Sequence, residues 1–289
     1  MSRKMLFYLL LWTQPVSASQ KLPPASDLYY GIYLNGQKVG FMHSEVKLAE
    51  HVLFRMELSA KVGGMGQVSS IGLTEERAYH KEDGRLLSVS FSQSAATGAV
   101  RVVGKRDKAA FNVEITAGSQ TRLQTFQVEE SLNDALALYG LAAEARVGAE
   151  RSAVHFDPSL LKVVSLRYQV LAKEERVLAG VGASPLRVQT TYTELGVQEL
   201  SWIDATGKML ESQVGGFFIA RLEPEAEAKR LDYSQDLLVS AVVRTPKVIR
   251  DSYARKQLSV VLTGFGSTQP PESARQKVKV LGERTVIEL

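Results

Sequence analysis

The sequence predicts a mainly β fold with a few helices: a large curved antiparallel sheet, or half-open barrel, around a central helix. Three observations support this: long stretches of alternating apolar and polar residues, closely spaced turn signals, and a single alanine- and leucine-rich segment with helical spacing. Because wide, twisted antiparallel sheets rarely stay flat, the sheet should curl. We expect the helix and apolar side chains to fill its concave side.

Alternation is clearest where Leu87, Val89 and Phe91 are separated by single serines. This period of two is typical of a strand with one buried and one solvated face. The same pattern recurs through most of the chain from Tyr29 onward. It predicts two hairpin meanders, at about residues 29–128 and 163–215.

Turn signals divide these strands at short intervals. Two-residue hairpin turns favour Asn-Gly and Asp-Gly because the positive φ angles cost these residues little. The predicted turns lie at Asn35-Gly36, Asp83-Gly84, Ala117-Gly118-Ser119 and Thr206-Gly207. Trp202, just before the last of them, is expected to be a core aromatic residue.

The first hairpin, residues 31–46, contains the sharpest local signal. A turn at Asn35-Gly36 predicts that Gly31 faces Gly40 and that Ile32 faces Val39. The two facing glycines would leave a bare groove in which an aromatic side chain could lie. The expected core face carries Tyr30, Ile32, Leu34, Val39, Phe41 and His43.

A helix is predicted over about residues 131–146, with Ser131 as its N-cap and Asp134 three residues on. A weaker helical pattern covers residues 223–243. Residues 267–273 form a predicted surface linker, and strands are expected over about residues 257–289. The chain ends at Leu289 within a strand pattern, which suggests a longer parent architecture.

The N-terminal segment, residues 1–18, has the layout of a secretory signal peptide. Arg3 and Lys4 precede the apolar run of residues 5–12, and Ala18 completes a small-residue cleavage site. The run is too short for the roughly 20 residues that span a bilayer, so no transmembrane span is expected. We predict export to the periplasm or surface of a bacterium, a linker at 19–28 and a single domain at 29–289.

Composition excludes several classes of function. The chain has no cysteine, which fits export without disulfides and excludes every thiol-based mechanism. Removal of Arg3 and Lys4 lowers the formal charge from +4 to +2 (4 − 2), so no acidic polymer is implied. The densest basic run, residues 101–108, lacks interleaved aromatics, so no nucleic-acid partner is predicted.

No motif identifies a catalytic, cofactor or metal site, and we assign no residue to any of these roles. The pattern Ser-x-x-Lys occurs at Ser44 and at Ser159 without the companion elements of penicillin-recognising enzymes. Glu76 and His80 would share a strand face, but two residues do not make a metal site. His155 and Asp157 are the best local pairing of a base with a carboxylate, although Asp-Pro also commonly starts a turn.

Four segments occur together in an order that resembles one family of bacterial exported proteins: YYGIYLNGQKVGFMHSEV, DGRLLSVSFS, HFDPSLLK and WIDATGKMLES. They are similar to the N-terminal β-rich region of transglutaminase-like (papain-type) proteins, over roughly residues 29–264. In that family a Cys-His-Asp catalytic domain follows, and this chain has no cysteine to supply it. The sheet-and-helix layout also resembles the half-barrels of periplasmic lipoprotein carriers.

The resemblance implies a non-catalytic exported domain without a cofactor. It would bind or position a protein partner or an adjacent catalytic domain, or be truncated from such a protein. The alternative is a periplasmic carrier that holds an apolar ligand, a lipid or acyl chain, in the concave face of the sheet. A third possibility is an enzyme that uses His155 and Asp157.

Overall fold

The structure is a computed structural model that describes residues 22–64, 67–95, 98–178, 181–216, 218–231, 235–236, 259–263, 277–281 and 284–288. The predicted signal peptide and the linker at 267–273 lie outside these residues, as do residues 232–234 and 237–243 of the weaker helical pattern.

The described residues form 20 strands and three short helices. The strands of the first part of the chain are β1 Ser26–Leu34, β2 Gln37–Leu48, β3 Val52–Gly64, β4 Gln67–Tyr79, β5 Leu86–Ala95, β6 Gly98–Asp107, β7 Ala110–Ala117 and β8 Gln120–Phe126. The helices are α1 Leu132–Ala135, α2 Ala137–Glu144 and α3 Glu225–Lys229. The remaining strands are β9 Glu150–Asp157, β10 Lys162–Lys173, β11 Arg176–Leu178, β12 Val181–Ala183, β13 Leu186–Tyr192, β14 Val197–Ile203, β15 Met209–Val214, β16 Phe218–Glu223, β17 Gln235–Asp236, β18 Ser259–Thr263, β19 Lys277–Leu281 and β20 Arg284–Glu288.

One large antiparallel sheet dominates the fold, as the alternation predicts. Its strand order is β8-β7-β6-β5-β4-β3-β2-β1-β16-β15-β14-β13-β10-β9, and β17 joins β3 in parallel. The first meander matches the expected range closely, whereas the second begins earlier, at β9, and continues to β16. Pairing of β1 with β16 joins the two meanders, and β8 and β9 remain at opposite edges.

The sheet curls until its two edges overlap. We call the face that carries Ile32, Phe54 and Arg77 the inner face; the strand register extends it to Phe111 in β7. Phe156 belongs to the opposite, outer face of β9, yet its ring lies 5.6 Å from the ring of Phe111. The outer side of β9 therefore packs against the inner side of β7, and side chains rather than a hydrogen-bond ladder bring the edges together.

The predicted helix is present but divided at Leu136 into α1 and α2. Asp134 accepts hydrogen bonds from the backbone N–H and hydroxyl of Ser131, which is the expected cap. Leu141 of α2 packs against inner-face residues such as Val170 and Val188. The helices thus cover the inner face at one end, as predicted.

The predicted register of the first hairpin is wrong by one residue beyond the turn. Asn35 and Gly36 have φ angles of 49° and 80° and form the expected turn, but Val39 has no partner in β1. Because of this bulge Gly40 faces Ile32 rather than Gly31, and Gly31 faces Phe41. A one-residue slip moves all later side chains to the opposite face.

The bulge removes Phe41 and His43 from the predicted core face. His43 stacks on Tyr29 of the outer face, with ring centroids 4.3 Å apart, and Lys229 of α3 lies over Tyr29 and Phe41. Tyr30, Ile32, Leu34 and Val39 are buried as expected. The bare groove between facing glycines does not exist: the Glu223 carboxylate covers Gly31.

Two other predicted turns, and Trp202 beside one of them, are found in the structure with differences that depend on distant contacts. Gly84 has a φ of 69°, but Asp83 and Gly84 lie within the longer connection between β4 and β5, residues 80–85, instead of a two-residue turn. Gly207, with a φ of 88°, packs against Tyr139 of α2. Trp202 is 5% exposed, as expected of a core residue, and its indole N–H donates to Glu174.

The chain divides into two compact units, residues 1–241 and 242–289, where we expected one domain over 29–289. In the second unit β20 pairs with both β18 and β19 in a separate antiparallel sheet. The predicted linker at 19–28 is also too long, because β1 begins at Ser26.

Candidate functional site

The free edge of β9 is held by three side chains from other elements. Glu130 accepts a hydrogen bond from the backbone N–H of Phe156 at 2.6 Å, and Arg77 donates one to the backbone carbonyl of Phe156 at 2.7 Å. Asp134 accepts from the N–H of Val154 at 3.0 Å. Buried backbone groups need such partners, so these charged side chains replace the missing strand.

Arg77 and Glu130 form the centre of a buried polar cluster. The guanidinium Nη1 lies 2.8 Å from each Glu130 carboxylate oxygen, and the two side chains are 7% and 1% exposed. Glu75 accepts from Arg77 Nε, and Tyr79 donates its hydroxyl to Glu130. Each carboxylate oxygen of Glu130 thus accepts two hydrogen bonds.

Burial and charge shift the pKa values in this cluster. Burial alone would lower the pKa of Arg77, but the carboxylates of Glu130 and Glu75 outweigh it and raise that pKa. Burial, followed by the nearby Glu130 carboxylate, raises the pKa of Tyr79 well above its ordinary value. Arg77 is therefore permanently charged and Tyr79 permanently neutral over the physiological range.

His155 faces this cluster from the inner side of β9. Its Nε2 lies 3.1 Å from Arg77 Nη2. A guanidinium only donates, so Nε2 accepts and the imidazole is neutral with its proton on Nδ1. Burial, and then the charge of Arg77, lower the pKa of His155, while Glu130, Glu75 and Asp157 oppose the shift.

The hypothesis that His155 and Asp157 act together is not supported by the geometry. Asp157 accepts hydrogen bonds from the N–H and hydroxyl of Ser159 and from the N–H of Leu160. Its carboxylate therefore forms the turn between β9 and β10, the alternative that the Asp-Pro sequence left open. His155 instead bonds to Arg77, which belongs to the distant strand β4.

A cavity of about 240 Å³ lies beside the cluster, between the sheet and α1. Aromatic and aliphatic side chains form most of its wall, and the charged groups lie at one side. It is lined by Phe54, Arg77, Tyr79, Glu130, Asp134, Ala135, Ala153, Val154, His155, Leu166, Tyr168 and Tyr192. At roughly 30 Å³ per water molecule, it has room for a small polar head group but not for a long chain.

A second polar group adjoins the cavity through Tyr192. Glu199 accepts hydrogen bonds from the hydroxyls of Ser201, Ser212 and Tyr192, the last at 3.4 Å. Register places Glu199 opposite Thr190 and Thr190 opposite Tyr168, all on the inner face. This carboxylate is half-buried and is surrounded by hydroxyl groups.

The inner wall beyond the cavity is apolar and incompletely covered. From Phe54 the inner-face positions of β3 continue through Met56 to Leu58, about 13 Å away at a strand's rise per residue. Both are half-buried, as are Met42 in β2 and Leu73 in β4, which lie opposite Leu58. The described residues thus leave a partly open apolar strip that runs into the cavity.

Sequence reasoning singled out His155 but missed Arg77, Glu130, Tyr168, Tyr192 and Glu199. One usable signal was a charged residue at an apolar-face position of an alternating strand, as Arg77 is between Leu73 and Tyr79. Charge at such a position predicts either a buried ion pair or a site. It does not reveal the partner.

The other residues considered in the sequence have structural contacts. Ser159 takes part in the Asp157 turn, and Glu76 pairs with Arg55 rather than with His80. The basic run at 101–108 mostly lies in β6, paired on both sides. Within the described residues no group of three metal-ligating side chains occurs, and no helix there is long and apolar enough to cross a membrane.

Comparisons with known proteins agree with the fold. No protein-family model and no curated protein matches the chain. A crystal structure of a β-barrel-like protein of DUF1849 from Brucella abortus is similar, with a TM-score of 0.53 and 12% identity, over 68% of this chain and 95% of that one. At this identity the similarity shows the fold alone.

A crystal structure of a DUF1089 family protein from Pseudomonas aeruginosa aligns over 79% of this chain and 100% of that one with 11% identity, but a TM-score of 0.34 is too low to indicate a shared fold. The resemblance to transglutaminase-like proteins and the predicted export stay predictions.

The contact of His155 with Arg77 can be tested through the stability of the protein at acidic pH. The folded-state pKa of His155 is lowered, so the stability that the neutral imidazole contributes is complete above its ordinary pKa of about 6.5. It is lost as the pH falls through the lower folded-state value. We expect the stability advantage of the wild type over a His155→Gln variant to shrink from pH 7 to pH 5, measured by urea unfolding.

The carboxylates that titrate in both proteins contribute equally to the two free energies of unfolding. Their contribution therefore cancels in the difference between the wild type and the variant. A wild-type advantage that is constant between pH 7 and pH 5, or that grows on acidification, would contradict the burial of a neutral His155 beside Arg77.

Proposed function

We propose that this chain is a binding protein that holds a small amphiphile in the hollow of its curled sheet. The observation that carries the proposal is the apolar strip of Met42, Met56, Leu58 and Leu73, which leads into the cavity at Phe54. Half-buried apolar side chains on a concave wall are a typical lining of ligand sites. The apolar tail would lie along the strip and the polar head in the cavity.

This function is the carrier alternative predicted from the sequence. The apolar strip and the cavity favour it over a role in positioning a protein partner. A cavity of about 240 Å³ with charged groups at one side suits a head group, and the strip suits an acyl or alkyl chain. In the periplasm or at the cell surface, where export would place the protein, such ligands include lipids and their fragments.

The test compares two adjacent positions of β3 that lie on opposite faces. Leu58→Gln places a polar group on the strip, whereas Ser59→Gln alters the outer face and serves as the control. The probe is dodecyl maltoside below its micelle concentration, measured by titration calorimetry. We expect Leu58→Gln to weaken binding about tenfold, since loss of a buried leucine contact is worth about 1.5 kcal/mol or more.

Binding of the probe with equal affinity to both variants and the wild type would contradict the strip as the tail site. No binding of any dodecyl probe to the wild type would overturn the proposed function itself. Thermal unfolding of both variants shows whether each remains folded.

A further inference from the structure

We propose that the cavity selects a cationic head group, an ammonium held by the rings of Tyr168 and Tyr192 and attracted by Glu199, which does not line the cavity itself but accepts a hydrogen bond from the hydroxyl of Tyr192. This inference rests on the proposed function and adds the chemical class of the ligand. Three features of the cavity support it: its aromatic wall, its charge, and the fact that its guanidinium is already fully engaged.

The aromatic wall is suited to a cation. Tyr168 and Tyr192 both line the cavity, and the face of a tyrosine ring attracts an ammonium within about 6 Å of its centre. Phe54 and Tyr79 add two further rings to the lining. A head group in the cavity would therefore lie among four aromatic side chains.

The tyrosines also lie in a negative environment. Burial is the largest cause of the raised pKa of Tyr168, and the carboxylates of Glu199, Asp134 and Glu130 add to it in that order. Burial and then Glu199 raise the pKa of Tyr192. A positive charge between these rings would be stabilised by the same carboxylates.

Glu199, like Asp134 in the cavity wall, has no ion-pair partner among the described residues. The described partners of Glu199 are the hydroxyls of Ser201, Ser212 and Tyr192, none of which brings a positive charge. By contrast, Glu130 and Glu75 share Arg77. Within the described residues no Lys or Arg lies within ion-pair distance of Glu199.

An anionic head group would find no free cation among the described residues that line this cavity. The guanidinium in the lining is that of Arg77, and its donors are directed to Glu130, Glu75, His155 and the carbonyl of Phe156. A phosphate or carboxylate would have to displace one of these and would face Glu199 and Asp134. The charge of the cavity therefore disfavours anionic head groups and favours cationic ones.

The experiment uses three probes with the same tail: dodecyltrimethylammonium, dodecyl maltoside and dodecyl sulfate, each below its micelle concentration. On the wild-type chain we expect the ammonium probe to bind at least about tenfold more tightly than the sulfate probe, the scale of a desolvated cation–π contact. The neutral probe should lie between them. This ranking needs no variant to fold.

The matched variants are Glu199→Gln and Glu114→Gln. The first keeps the shape and an acceptor for the three hydroxyls but removes the charge, and the second removes one charge from an exposed position on β7. We expect Glu199→Gln to lose about tenfold in affinity for the ammonium probe with little change for the maltoside, and Glu114→Gln to behave as the wild type.

Equal binding of the three probes to the wild type would overturn the cationic preference while leaving the proposed function intact. So would an unchanged affinity of Glu199→Gln for the ammonium probe. If none of the probes binds, the proposed function fails and the head-group inference fails with it.

Discussion

Replacement of Glu130 by alanine is expected to lower the free energy of unfolding by about 3–5 kcal/mol, the cost of leaving one partner of a buried ion pair uncompensated. Arg77 would lose its main counter-charge while only 7% exposed. The N–H of Phe156 and the hydroxyl of Tyr79 would lose their acceptor as well. Urea unfolding at pH 7 measures the change.

The control is Glu150→Ala. Glu150 pairs with Arg167 at 2.8 Å, but these side chains are 40% and 60% exposed, so the loss should be at most about 1 kcal/mol. Similar losses in the two variants would show that the Arg77–Glu130 pair does not hold the edge of β9.

Gly40→Val is expected to destabilise the protein by about 1–3 kcal/mol, the usual cost of overpacking. An added Cβ at Gly40 would lie 2.1 Å from the carbonyl oxygen of Ser59 and 2.7 Å from the Cα of Ala60. Both are backbone atoms of β3, which cannot turn aside. Thermal and urea unfolding measure the loss.

Gly72→Val is the matched strand control. An added Cβ there meets only the hydroxyl of Ser94, at 2.8 Å, and a serine side chain can change rotamer. Valine also suits a strand, so we expect a change of at most about 1 kcal/mol. A melting temperature of Gly40→Val equal to the wild type would contradict the close approach of β2 to β3.

Local sequence reasoning recovers features that neighbouring residues decide. The turn at Asn35-Gly36 and the cap of Asp134 on Ser131 depend on residues that are close together in the chain. The alternation of single strands is equally local. For these features the sequence is sufficient, because the competing conformations differ in short-range terms such as φ preference and capping.

The register of the first hairpin shows where local reasoning fails. An ideal two-residue turn places Phe41 and His43 in the core, and the bulge at Val39 sends both to the outer face. The bulge keeps Val39 buried with Ile32 and Ala220. Ala220 belongs to β16, near the far end of the second meander, so the hairpin's own sequence does not contain the cause.

The candidate site depends even more on distant contacts. His155 was recognisable as a candidate, but its partner Arg77 lies in β4 and Glu130 precedes α1. They meet because the outer side of β9 overlaps the inner side of β7. The sequence pattern does not specify that overlap, since each strand would alternate in the same way in an open sheet.

Contacts between near neighbours are enough to specify an antiparallel β structure with a capped helix, because side-chain alternation, turn preference and capping all act over a few residues. Long-range contacts instead set the pairing of β1 with β16 and the packing of the outer side of β9 against the inner side of β7. The edge of β9 needs hydrogen-bond partners, and Arg77, Glu130 and Asp134 supply them. The same three charged side chains line the cavity together with the aromatic rings of Phe54, Tyr79, Tyr168 and Tyr192.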